Sequence, residues 1–180
     1  MDERFRKFIK VVLKNECGNG NGYVNDKDDA GGVTVYGITR RNHPDLIIWK
    51  SLDDISTVRE KKRYKPSKEE MDEVYDTYYI LYYKKPNIER IEDDELCLQV
   101  FDMGVNAGTS RAIRMLQETL SIRVDGICGE QTITTANLKR NVTEAYKEKR
   151  REYYKSIARK GNNCKFLNGW LNRVDNTRLA

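Results

Sequence analysis

The chain has 180 residues, enough for one compact unit or for two small lobes sharing a core. Charged residues make up 34 % and hydrophobic ones 38 %, which supports a folded core, and no run of about 18 apolar residues is present to span a membrane. One histidine, His43, excludes zinc chemistry that needs two imidazoles. Four scattered cysteines without a CxxC pair exclude zinc ribbons and redox motifs, and the net charge of +5 suits an anionic partner without selecting one.

Residues 4–16 predict an amphipathic helix. Phe5, Phe8, Ile9, Val12 and Leu13 recur at helical spacing, and Glu16 continues the same face. Gly18 is the stop signal, followed by the polar, glycine-rich end of the stretch Cys17–Gly22. Tyr23–Asn25 and Val33–Tyr36 have strand propensity and predict a short β-hairpin joined through residues 26–32. Residues 40–66 read as irregular chain anchored by Ile47, Ile48 and Trp49, with a basic run at Arg59–Lys65. Helices then dominate. Ser67–Glu70 is a capping box ahead of Met71, Val74, Tyr75, Tyr78 and Tyr82, and Pro86 closes that helix. Leu96, Cys97, Val100 and Phe101 mark another, running into Gly104–Gly108, and Ala112, Ile113, Leu116 and Leu120 mark a third. Turn signals at Asp125-Gly126 and Cys128-Gly129 precede a short helix near 131–138. Residues 143–159 predict a charged helix with Tyr146, Tyr153, Tyr154 and Ile157 inward, ended by Gly161. The expected fold class is mainly α with one small β-hairpin.

With imidazole chemistry closed off, the 28 Asp and Glu residues are the available proton carriers. Glu16 stands out. It projects from an apolar helical face at a helix C-terminus, where burial and the macrodipole both oppose its charged form, and a general acid needs that bias. The alternative is a solvated Glu at a frayed helix end. Asp29 is a second carboxylate, in competition with Asp26 and Asp28; its alternative is a turn-forming role in Asp28-Asp29-Ala30-Gly31. The string from Asp26 to Gly37 lacks the fifth and twelfth ligands of a calcium loop, so no metal is expected there. Tyr23 and Tyr36, with Asn25 beside them, are candidate substrate contacts, as is Trp49; packing of the hairpin or core is the alternative for the rings. Trp170 reads as structural, and Cys17, although adjacent to Glu16, has no evident orienting partner.

The string from Glu16 through Gly22, Asp29 and Gly32-Val33-Thr34 to Thr39 resembles glycoside hydrolase family 108, muramidases of the phage-endolysin and secretion-activator type. The resemblance continues through Val100–Gly108, Leu116-Gln117 and Val124–Thr132, similar to that family's C-terminal predicted peptidoglycan domain, and through Phe166–Arg173. It implies a lysozyme-like helical fold with the hairpin next to the catalytic helix. Residues 1–90 would form the catalytic lobe and 91–180 a helical peptidoglycan-domain lobe, packed as one compact unit. The implied activity is cleavage of the β-1,4 bond between N-acetylmuramic acid and N-acetylglucosamine by Glu16, Asp29 and Thr34, without a cofactor. One departure stands out: Glu16 lies seven residues before Tyr23, where the family has three, so Cys17–Gly20 reads as a four-residue insertion.

The charged N-terminus, Met1–Phe8, lacks a signal-peptide core, so synthesis in the cytoplasm and delivery to the wall by a holin or another export route are expected. The implied partner is the glycan strand of peptidoglycan; neither nucleic-acid binding nor stable membrane insertion is expected. The rival readings are a non-catalytic wall-binding protein and, more distantly, a basic helical nucleic-acid binder.

Overall fold

The computed structural model describes residues 1–25, 32–160 and 163–179. It is a mainly α, lysozyme-like fold with one small antiparallel sheet. Two compact units are present, one comprising Ile9–Tyr79 with Met1 and the other Asp2–Phe8 with Ile80–Ala180.

In the first unit, helix α1 (Glu3–Cys17) ends and leads into a three-stranded meander, β1 (Val24–Asn25), β2 (Val33–Val35) and β3 (Ile38–Thr39). The expected hairpin therefore gains a third strand. Tyr36 and Gly37 both have positive φ, 50° and 73°, the signature of a two-residue type I′ turn, and Val35 pairs with Ile38 across it. A tyrosine at the first turn position hid this turn from the sequence pattern, because glycine or asparagine is the usual signal there. Tyr23, Val35, Ile48, Trp49 and Leu52 form one buried hydrophobic cluster of this unit.

Residues 40–66, expected to be irregular, contain two short helices, α2 (Ile48–Asp53) and α3 (Val58–Lys61). Ile48, Trp49 and Leu52 are one helical face, too short to register as a period, and all three are buried, whereas Ile47 is exposed. The Trp49 indole donates to the His43 carbonyl at 2.6 Å, which gives the lone histidine a backbone role. Helix α4 (Lys68–Tyr78) carries the predicted capping box in full between Ser67 and Glu70.

Residues 79–84 take the wider π form, with the Lys85 amide donating to the Ile80 carbonyl. The widened turn shifts the inward position by one residue, so Tyr83 is buried where Tyr82 was expected. Tyr83 joins Phe5, Phe8 and Phe101 in an aromatic cluster with ring centroids 5.2–6.2 Å apart. Helix α5 (Asp94–Ala107) is buried all round from Leu96 to Gly104, the mark of a central helix. Helices α6 (Thr109–Leu120) and α8 (Val142–Ala158) pack on it, α7 (Glu130–Leu138) packs on α6, and α9 (Leu167–Asn176) packs on α8.

Helix α8 holds a correction. Tyr146 and Tyr154 are buried as expected, but Tyr153 and Ile157 are only half-buried, and the fourth-residue row continues instead through Arg150 and Ala158. Gly161, its expected terminator, lies outside the described residues. Arg150 is fully buried because Asp102, also fully buried, accepts its Nη2 at 2.5 Å. Asp102 also accepts from Arg173 Nε and Nη2, and the Gln99 side chain accepts from Arg150 while donating to the Val174 and Thr177 carbonyls.

Replacing Asp102 with Asn leaves Arg150 without its counter-charge in the interior. Removal of one partner of a buried pair costs about 3–5 kcal/mol. Denaturant unfolding of the Asp102→Asn variant should show a loss of that size; a loss under about 1 kcal/mol, typical of an exposed pair, would show that the network carries little stability.

Candidate active site

Glu16 occupies the last turn of α1 and is half-buried. The turn between β2 and β3 lies close against it. A Cβ placed on Gly37 would lie 3.3 Å from Glu16 Oε2 and 2.6 Å from the Tyr78 hydroxyl. Only a residue without a side chain lets the turn approach the carboxylate this closely, and the positive φ of Gly37 independently favours glycine. The Tyr78 hydroxyl, from α4, donates to the Tyr36 carbonyl at 2.7 Å and fixes the turn from the other side.

The segment Cys17–Gly20, read as an insertion, closes on itself. Gly18, with φ of 61°, ends the helix by donating to the Lys14 carbonyl, and the Gly20 amide donates to the Cys17 carbonyl at 3.1 Å. Asn21 then anchors the loop. Although polar, it is 2 % exposed. Its Nδ2 donates to the Lys61 and Tyr64 carbonyls at 2.7 and 3.2 Å, its Oδ1 accepts from the Tyr23 amide, and its carbonyl accepts from the Tyr36 amide at 2.7 Å. The loop after α1, the turn beside Glu16 and the C-terminal end of α3 with the chain just after it thus meet at one residue. Sequence reasoning missed Asn21, Gly37 and Tyr78. The available signals were an asparagine inside a glycine run and Tyr36-Gly37 between two β-branched segments.

Thr34 is half-buried on the central strand, in register with Val24 on one side and Thr39 on the other. Directly paired residues share a sheet face, so Thr34 and Thr39 lie on the face opposite Val35, which is buried against Trp49. Asn25 is exposed at the end of β1. Tyr23, 4 % exposed, has its ring in the core with the Lys61 ammonium 6.0 Å from the centroid, the packing alternative for that residue. Trp49 is likewise buried. Tyr36 is half-buried, and burial, followed by the nearby Cys17, Tyr75 and Glu70, raises its phenol pKa, so the hydroxyl remains a donor. Asp29, with Asp26 and Asp28, lies outside the described residues.

Burial, reinforced by Glu16, pushes the Cys17 thiol up to about 11, so near neutrality it is a thiol and a poor nucleophile. Cys97, Cys128 and Cys164 are free as well. Among the described residues no three His, Cys, Asp or Glu side chains gather as a metal site, and no helix is long and apolar enough to cross a membrane.

The geometry so far is an acid on a helix end against a glycine turn of a small sheet. Residues 9–108, more than half the chain, match the model of glycosyl hydrolase 108. The chain belongs to that family. Residues 111–175 match a second model, described as a Predicted Peptidoglycan domain. Among solved structures, Brucella abortus SagA is similar with a TM-score of 0.64 and 21 % identity, covering 96 % of this chain and 90 % of that one, which shows a shared fold. No curated protein matches the chain. This family 108 chain is therefore a glycoside hydrolase acting on peptidoglycan, and its place of action is the cell wall.

In the peptidoglycan-domain segment, the motif residues serve the local fold. Gln117 is buried; its Nε2 donates to Asp125 Oδ1, the Ile127 carbonyl and Thr132 Oγ1, while its Oε1 accepts from the Asp125 and Gly126 amides. A Cβ on Gly126, whose φ is 79°, would lie 2.7 Å from the Ser110 hydroxyl.

Replacing Gly37 with Ala forces a side chain against Tyr78 and Glu16 in a left-handed conformation that costs roughly 1–2 kcal/mol. The variant should melt lower and lose activity on purified peptidoglycan by on the order of 100-fold, the usual result of displacing a reacting group by about 1 Å. Wild-type turnover by a folded Gly37→Ala protein would show that the turn does not set the position of Glu16.

Proposed function

We propose that the chain is an N-acetylmuramidase, hydrolysing the β-1,4 bond between N-acetylmuramic acid and N-acetylglucosamine. The observation that carries this reading is the Glu16 carboxyl held against the glycine of the β2–β3 turn, at the end of an apolar-faced helix. In the reaction Glu16 donates its proton to the leaving glycosidic oxygen. Asp29 is the second carboxylate, on sequence spacing; it stabilises positive charge at the anomeric carbon or takes a proton from the attacking water. Thr34, on the exposed face of the central strand, positions that water or a substrate hydroxyl. Asn25 and Tyr36 are the substrate contacts, and Tyr23 supports them from the core.

Residues 1–90 form the catalytic lobe in this reading, and 91–180 the lobe that holds the wall. Carboxylates and water suffice for the chemistry, with no cofactor. Peptidoglycan glycan strands are the partner, reached through a holin or another export system, in either phage lysis or secretion.

The test is digestion of purified peptidoglycan by wild type and by Glu16→Gln, with reducing-end and mass analysis of the products. Wild type should release muramic-acid reducing ends, and the variant should be slower by about 10²–10⁴-fold, the usual contribution of a general acid. Equal rates would remove Glu16 from the mechanism. Release of free amino termini would replace glycan cleavage with peptide cleavage.

A further inference from the structure

In the second unit one face of α6 and the C-terminal half of α8 border an open groove of about 720 Å³ that the proposed hydrolytic reaction does not use. Three cations line it, Arg111, Arg114 and Lys149, together with two carboxylates, Glu118 and Glu152, and one ring, Tyr153. Its volume falls within the roughly 300–1,000 Å³ typical of sites for small ligands, room for a short peptide.

The charge of the lining selects the ligand. Neutral sugars are held by open, flat aromatic faces, but the Arg111 guanidinium already lies over the Tyr153 ring, 5.1 Å from its centroid. The two carboxylates in the wall of the groove oppose a polyanion such as nucleic acid. What remains is a ligand carrying both signs of charge. Lys149 reaches Glu118 and Glu152 only at 3.8 and 3.7 Å, with all three side chains more than a third exposed. Such loose pairs cost little to exchange for a ligand's own charges. The neighbouring Arg150, in contrast, is fully buried on Asp102 and is not available. The polymer that this family hydrolyses has one component carrying both signs of charge: its stem peptides have carboxylates and, where not cross-linked, free amines, whereas its peptide-substituted sugars carry no net charge.

We propose that the α6–α8 groove is a binding site for the charged stem peptide of peptidoglycan, with Arg111, Arg114 and Lys149 receiving carboxylates and Glu118 and Glu152 receiving the amine. The site would hold the chain on peptide-bearing wall, and the inference rests on the reading of the protein as a peptidoglycan hydrolase.

Titration of the isotope-labelled full chain tests it, with a synthetic wall tetrapeptide bearing free carboxylates and one free side-chain amine as probe. Amide resonances of the groove residues in α6 and α8 should shift with saturation. Capping the amine by acetylation and the carboxylates by amidation should weaken binding about tenfold or more, as should Arg111→Glu combined with Lys149→Glu, and rising salt should weaken it further. Equal binding of the charged and capped peptides, or shifts of the same amides by a neutral oligosaccharide of N-acetylglucosamine, would overturn the proposal, as would no saturable shift in the wild-type protein. The mapping on wild type does not depend on a variant folding. It also involves no glycosidic cleavage, so its failure would leave the Glu16→Gln digestion result standing, and the converse holds.

Discussion

The arrangement around Glu16 depends on one buried amide. Asn21 gives up water and in return joins the Lys61 carbonyl at the end of α3 and the Tyr64 carbonyl after it to an amide of its own loop, while its backbone carbonyl receives the Tyr36 amide. An unmet buried donor or acceptor costs roughly 1–3 kcal/mol, so these bonds are mutually enforcing. If the loop moved, several groups would lose partners together. Because the turn at Tyr36-Gly37 hangs on that carbonyl and on the Tyr78 hydroxyl, the surface that Glu16 meets is fixed by polar contacts. A sheet with strands of two and three residues has few ladder bonds of its own, and these outside contacts supply what it lacks.

The second unit applies the same logic at larger scale. Asp102 neutralises Arg150 within the helical core, and Gln99 ties the same guanidinium to the end of the chain through Val174 and Thr177. A buried ion pair is not by itself a large stabiliser, but it fixes which faces of α5, α8 and α9 meet. Gln117 does the equivalent for the Asp125-Gly126 turn. The motifs by which this segment resembles a peptidoglycan domain therefore encode scaffold first. Ligand contacts have to be sought elsewhere on the same helices, on side chains the scaffold leaves loosely paired.

What the sequence made legible followed from periodicity and local chemistry. The apolar row of α1, the Ser67 capping box and the buried α5 were all readable, because a helix face or a cap is a short-range pattern. Elements whose cause lies far along the chain were not. Arg150 was not among the inward positions expected of the charged helix at 143–159, since nothing near it in sequence announces Asp102, 48 residues earlier. Strand β3 has two residues and a turn begun by tyrosine, below any usable period. Tyr83 replaced Tyr82 in the core because a π turn changes the helical period without a sequence mark. At the site, Glu16 was legible as an acid on an apolar face, but the residues that place it, Asn21, Gly37 and Tyr78, act through contacts that only the fold creates.

Read as a four-residue insertion, Cys17–Gly20 would lengthen the connection between the acid and the sheet, and Glu16 stands seven residues before Tyr23. The geometry explains why it can be tolerated. Lengthening a loop about twofold costs only about 0.6 kcal/mol of closure entropy. The extra residues turn back at once, through Gly18 and the Gly20–Cys17 bond, and the chain rejoins the fold at Asn21. Glu16 is positioned by the helix that ends with it and by a glycine turn clamped from α4, neither of which measures the length of the loop. An acid fixed in this way is insulated from its own connecting segment, and that segment is then free to vary in length without moving the carboxylate.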